Sequence, residues 1–364
     1  MIRAVIIGFA HMHVNEVALY ISEEKNTELV GIADVQPKEP ENTEKRYTRA
    51  WNFANVKENY CSNTYESYTE MLDELKPDYA YILCENASKP AVALECAKRG
   101  VNLAIEKPMA ADVRGAEEIC ALPKKYGVEL YVNWPVAWRG YIGQFKKALD
   151  ERICGEPLRL RYINGHTGPL GKGAKHRGVS AHAEEMTDEE RGRIWWYKGD
   201  CGGGAFLDIL CYGCYFSRWF FGKMPLGIVA EGQNLGTPYA DTEDNTAALF
   251  RYDGAMATAE GSWTIPRLLV PSGPQMLCSE GAIYCGGGAD EGQFAAACSL
   301  SCEDVALPEY EHPYSLKNMP CHIASHVLWG TEILETLKPD FNLDVIKMIE
   351  ASKRSAESKK EERP

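Results

Sequence analysis

The stretch IIGFAHMH, residues 6–13, decides the fold. An apolar β-type run begins at Arg3 and ends at Gly8, and Val14, Val17, Ala18 and Ile21 then recur at helical spacing. Strand, glycine turn and helix in this order open a dinucleotide-binding unit. The glycine permits the tight turn, and the helix N-terminus faces an anion. The usual glycine pattern is altered here. Gly8 makes the turn, Ala10 stands where backbone comes nearest a pyrophosphate, and His13 stands where a glycine lets helix pack on strand. His11 and His13 carry two readings: an imidazole N–H that reaches phosphate or substrate, or a packed or helix-capping side chain.

Outward from this stretch the alternation continues. Leu29 to Asp34, Tyr79 to Cys84, Val101 to Ile105 and Leu130 to Asn133 read as strands. Between them lie a polar Lys/Glu-rich excursion and a helix with Tyr68, Met71, Leu72 and Leu75 on one face. A helix entered at Pro90 and stopped at Gly100, and one capped by Asp112, complete the series. Apolar strands separated by amphipathic helices predict a parallel sheet covered on both faces, a Rossmann-like domain over residues 1–135. Asp34 ends the second strand, 21 residues beyond His13. A carboxylate there accepts from both ribose hydroxyls of an adenosine and repels a 2′-phosphate, which favours NAD over NADP; the plainer reading is a turn aspartate.

Beyond residue 140 the pattern changes. A helix carries Ile142, Phe145 and Leu149, and strands joined by hairpin turns follow, with Asp253-Gly254 between two β-rich arms and MLCSEGAIYC as a second hairpin. Residues 136–364 are expected to form an α+β domain on a largely antiparallel open sheet, its final helix, about 342–359, packing back on the first domain. The segment Asn164 to Arg193, rich in Gly, His and charge, reads as a long functional loop.

The 364 residues carry a net charge of −13, so a nucleic-acid partner or an anionic membrane is not expected, and a small-molecule substrate is. With no charged-then-apolar leader and no long apolar run, neither export nor a membrane span is expected. The thirteen scattered cysteines fit reduced thiols in a cytoplasm. Cys211-x-x-Cys214 and His11-x-His13 each offer only two ligands, and no second pair has metal-binding spacing, so no metal is expected.

AIEKPMA, residues 104–110, puts Lys107 at the carboxyl end of a parallel strand, where such sheets bind ligands. With that segment the chain resembles the Gfo/Idh/MocA oxidoreductases. CEN at 84–86 resembles the family's T-P-N segment, with Asn86 kept and Lys89 where a histidine is common. WWYKGDCGGGAFLDILCYG resembles its W…GGG…D…H block, and DNTAALFRYDGAMATAEGSW its hairpin.

The resemblance implies hydride transfer between a nicotinamide and a secondary hydroxyl or ketone of a sugar, glycoside or polyol. It implies catalytic Lys107, Asp208 and Tyr212, the tyrosine standing at the usual histidine position, as in some branches of the family. The i, i+4 spacing puts Asp208 and Tyr212 on one helical face, and a nearby lysine favours the phenolate. Cofactor contacts fall to Gly8, Ala10, His11, His13, Asp34, Cys84, Asn86, Glu106 and Lys107. Substrate contacts fall to Lys107, Trp134, His182, Trp196, Asp208 and Tyr212; Trp195 and Trp196 either stack on a sugar or anchor the loop. Two alternatives stand beside the dehydrogenase: a redox-neutral glycoside-cleaving enzyme that retains NAD, and a non-catalytic dinucleotide or sugar sensor. The open sheet face suits a homo-oligomer.

Overall fold

The computed structural model describes residues 1–171, 173–287 and 292–364. Lys172, within the long loop, lies outside them. Six parallel strands form the first sheet: β1 (Ile2–Ile7), β2 (Thr27–Ala33), β3 (Thr64–Tyr65), β4 (Tyr79–Ile82), β5 (Asn102–Glu106) and β6 (Leu130–Asn133). Their order is β3-β2-β1-β4-β5-β6. Val5, Ile6 and Ile7, with Ala80 and Ile82 beside them, are fully buried, as strands covered by helices on both faces must be. The order reverses between β1 and β4, which is where open α/β sheets bind ligands. The polar excursion after β2 holds a helix, Arg49–Asn59, which the weak periodicity of its sequence concealed; Arg49, Asn52 and Val56 are its buried residues.

Seven strands form the second sheet: β7 (Pro157–Gly165), β8 (Gly227–Gln233), β9 (Asn245–Arg251), β10 (Met256–Ser262), β11 (Gln275–Cys278), β12 (Gly281–Gly286) and β13 (Phe294–Ser299). The order is β13-β12-β11-β7-β10-β9-β8, antiparallel throughout except that β10 runs parallel to β7. Both expected hairpins form, around Asp253-Gly254 and between β11 and β12. One face packs on the core and the other stays open, so β9 alternates buried Thr246, Ala248 and Phe250 with outward Leu249. The helix Pro339–Ser358 reaches the first sheet's layer, where the Glu350 carboxylate accepts from the Val113 amide at 2.8 Å. None of its helices, among the described residues, is long and apolar enough to cross a membrane. All thirteen cysteines are free.

Candidate functional site

The ends of β1, β5 and β7 and the helical run after Gly204 enclose a cavity of about 140 Å³. Its wall includes His11, His13, Lys107, His166, His176, Trp196, Asp208 and Tyr212. Lys107 follows β5 across a cis Lys107–Pro108 bond. Its neighbour in space, the buried Lys89 ammonium, braces that turn by donating to the Glu106 and Pro108 carbonyls at 2.6 and 2.7 Å and to Asn86 Oδ1 at 2.7 Å. The lysine at the family's histidine position is thus a buried strut. Burial pulls it down to about 8.

Asp208 sits in a single π-helical turn, Phe206–Leu210, and Tyr212 in the α-helix Cys211–Phe221 that continues it. Such turns recur at functional sites because they re-aim side chains out of the α-helical register. Asp208 accepts from Lys107 Nζ at 3.3 Å on Oδ1 and from the Trp263 indole at 2.9 Å on Oδ2, and His166 Nε2 lies 3.7 Å from Oδ2. Burial alone raises a carboxyl pKa, but Lys107, His166 and Trp263 outweigh it and hold Asp208 well below the usual carboxylate range. Lys107 is likewise held charged: burial works against the ammonium, and the carboxylates of Asp208 and Glu106 overcome it.

Tyr212 departs from expectation. Lys107 lies over its ring, 4.6 Å from the centroid, and lowers its pKa, yet burial outweighs the lysine and keeps the phenol protonated. Its hydroxyl remains a hydrogen-bond donor, and the phenolate is not favoured. Tyr212 also lines a second cavity of about 210 Å³ with Tyr141, Tyr162, Asn164 and Arg267.

The remaining residues divide. His182 is exposed and does not line the cavity, its carbonyl bonded to Arg46. Trp134 is buried behind Tyr212, its ring centroid 5.5 Å away and its indole donating to Asn342 at 2.7 Å, so it supports Tyr212 and does not face a ligand. Trp196 lines the cavity with its face stacked on Trp195 and His11 edge-on at 4.7 Å, which makes the pair an anchor. His166 and His176, two unremarkable histidines of the long loop, take the place expected of His182. All three lie in the loop near the expected substrate site, and the sequence offered no local signal to rank His166 and His176 above His182.

His13 Nδ1 lies 3.0 Å from Glu106 Oε1, and Asn133 donates to the other carboxylate oxygen at 2.8 Å. His11 Nδ1 accepts from the His13 amide at 3.2 Å, while its Nε2 is buried without a hydrogen-bond partner among the described residues. Burial first, then His13 and Lys107, hold His11 neutral. The tally of ligands along the chain stopped at two; the fold brings Glu106 to His11 and His13 as a third.

The residues for a dinucleotide fit in kind and place. Gly8 has φ +90°, and a Cβ on it would lie 2.5 Å from the Cys84 amide nitrogen, so only glycine lets the ends of β1 and β4 close. Asp34, Asn86 and Glu106 stand at or just beyond the ends of β2, β4 and β5. The chain itself occupies the crevice between them. Asp34 Oδ1 accepts from the Phe9 and Val35 amides and, at 2.7 Å, from Arg49, which also bonds Glu85. The Trp195 indole donates to the Ala10 carbonyl at 2.8 Å, and Asn86 donates to Gly202. Phe9, Ala10, Cys84 and Asn86 are all buried. Arg49 and the Trp195–Gly202 segment thus bridge the crevice beside Asp34, Ala10 and Asn86.

Comparison with known proteins agrees with this architecture. Residues 2–134 match the family model of the GFO_IDH_MocA oxidoreductases, NAD-binding Rossmann fold, and residues 144–282 match the GFO/IDH/MocA C-terminal domain. A trans-1,2-dihydrobenzene-1,2-diol dehydrogenase of Xenopus tropicalis is 24% identical over 185 residues, 50% of this chain and 49% of that one. A D-xylose 1-dehydrogenase [NADP(+)] of Haloarcula marismortui is 24% identical over 187 residues, 51% of this chain and 47% of that one. The matched region thus spans about half the length of these curated relatives. Among solved structures, the aldose-aldose oxidoreductase from Caulobacter crescentus complexed with glycerol superposes with a TM-score of 0.77 at 18% identity, covering 100% of this chain and 99% of that one. The WlbA dehydrogenase from Bordetella pertussis, in complex with NADH and UDP-GlcNAcA, gives 0.72 at 18% identity, covering 100% and 98%.

Proposed function

The chain belongs to the Gfo/Idh/MocA oxidoreductase family, and from that premise we propose that it is an NAD-dependent enzyme acting on a secondary hydroxyl, or the matching ketone, of a sugar, glycoside or polyol. The observation that carries the reading is the convergence of Lys107, Asp208 and Tyr212 on one cavity. NAD, when bound, supplies the hydride acceptor, held by Gly8, Ala10, Asp34, Cys84, Asn86 and Glu106. Lys107, kept charged by Asp208, stabilises negative charge that develops on the reacting oxygen. Tyr212, kept protonated, gives its proton to a ketone oxygen in reduction and takes one back in oxidation. Asp208 positions both. The cavity beyond Tyr212 has room for the rest of a sugar or for an aglycone.

The buried crevice favours a second reading, an enzyme that retains its cofactor and cleaves a glycoside without net redox change. A chain that closes over its dinucleotide site exchanges cofactor slowly. Incubation with NAD and a panel of sugars and aryl glycosides, following reduced nicotinamide and released aglycone together, separates the readings. Net reduction supports the dehydrogenase, and aglycone release without it supports the second. Binding with neither outcome points to a sensor. The open face of the second sheet, with outward Val229 and Leu249, is read as the contact of a homo-oligomer, and a reduced, cytoplasmic setting fits the free thiols.

A further inference from the structure

We propose that His11, His13 and Glu106 form a binding site for a divalent cation of the zinc class at the edge of the catalytic cavity. The site stands on its own geometry and does not depend on the oxidoreductase reading.

One ligand atom from each of the three residues lies within 4.8 Å of the other two, on the turn after β1 and the last residue of β5. Two imidazoles and a carboxylate are the donor set of open, catalytic zinc sites, which leave a position for water or substrate. Both histidines line the cavity of Lys107 and Tyr212, so a cation held there would border that cavity. Four of the chain's eight histidines reach this cavity: His11, His13, His166 and His176.

Two further features mark a built site. His11 is 2% exposed, and its Nε2 has no hydrogen-bond partner among the described residues; to ligate through it the ring takes the Nδ1–H tautomer and gives up the bond from the His13 amide. Glu106 is oriented from behind: Asn133 donates to Oε2 at 2.8 Å, and the Trp138 indole donates to Asn133 at 2.9 Å. That outer shell fixes one carboxylate oxygen and leaves the other toward His13, as ligating carboxylates are fixed. Glu106 supplies the cluster's negative charge but also faces the Lys107 and Lys89 ammonium groups, so cation uptake works against both. The His13–Glu106 contact is the bond a metal displaces, which makes uptake compete with protons. Bound there, the cation would polarise a substrate oxygen or water beside Lys107.

The test is calorimetric titration of the EDTA-stripped, dialysed full chain with zinc chloride, with bound metal counted by mass spectrometry. About one equivalent per chain is expected. Glu106→Gln and His13→Asn should each weaken binding by about 100-fold or more, and Asn133→Ala by about 10-fold or more, the size of outer-shell effects. His182→Asn, an exposed histidine outside the cluster, should bind as the parent does. Thermal melts identify any variant that fails to fold, and Glu106→Gln, which keeps the side chain's shape, then decides alone. A parent chain that takes up no zinc, or a folded Glu106→Gln variant with parental affinity, overturns the site. The titration is run without NAD and its readout is bound metal, so either result leaves the nicotinamide assay of the parent chain to be decided separately.

Discussion

The Lys107 ammonium lies 2.9 Å from the main-chain carbonyl and 3.3 Å from the carboxylate Oδ1 of Asp208, so one residue holds the other's charge twice over. Both are buried. Removing either partner leaves an unmatched charge, and that costs about 3 kcal/mol or more. Lys107→Met should therefore abolish turnover, with kcat down about 1000-fold if it carries the oxyanion role, and should also lower the melting temperature. Asp208→Asn should destabilise similarly. Asp208, held below its ordinary range, contributes stability that is complete at neutral pH. Denaturant titrations should show it withdrawn only as pH falls below the usual carboxylate range.

Tyr212 is raised by burial despite the lysine over its ring. The reductive reaction should accordingly show no loss from Tyr212 ionisation up to about pH 10, the ordinary tyrosine value. Tyr212→Phe should keep KM and lose about 100-fold in kcat, the usual yield of a positioned acid. An unchanged kcat would assign the proton to another group, with His166 beside Asp208 the next to test.

His176 is held neutral, its pKa pushed down to about 3 by burial first and by His13 and His166 after it. Its folded value lies below its unfolded one, so the unfolded chain takes up the extra proton. Stability should fall as pH drops from about 6.5 toward 3, by at most about 1.4 kcal/mol per pH unit from this residue. His176→Asn should flatten that slope in urea titrations run with EDTA; an unchanged slope would mean His176 is open to water.

Arg49 and Trp195 close the crevice between Asp34 and Ala10. NAD binding followed by stopped-flow tryptophan fluorescence should therefore saturate in rate as NAD concentration rises, because opening comes first. A rate linear in NAD to the highest concentration would show the crevice already open.

Leu249 faces outward from β9 beside Val229 of β8, on an apolar hollow of the open sheet. Light scattering should find an oligomer for the parent chain and a monomer for Leu249→Glu; a monomeric parent would refute the contact.

Much of this protein is legible along the chain. Local patterns encode five of the six parallel strands (the two-residue β3 is too short to show a pattern), the Asp253-Gly254 hairpin and the placement of Lys107 at a strand end, because side-chain periodicity and turn chemistry act over a few residues. The family block from Trp195 to Tyr212 is equally local. The helix Arg49–Asn59 escaped because two of its three buried positions are arginine and asparagine, which leave Val56 without an apolar rhythm.

Tertiary structure alone decided the rest. Whether Tyr212 keeps its proton depends on how deeply the fold buries it against the pull of Lys107, a contest of desolvation and charge that spacing does not contain. His166 and His176 face the site and His182 does not, since the path of a long loop is set by what it packs against. In IIGFAHMH, two histidines two residues apart remained a pair by sequence. Glu106, 93 residues beyond His13, completes the group only because parallel strands bring their carboxyl ends to one edge of a sheet.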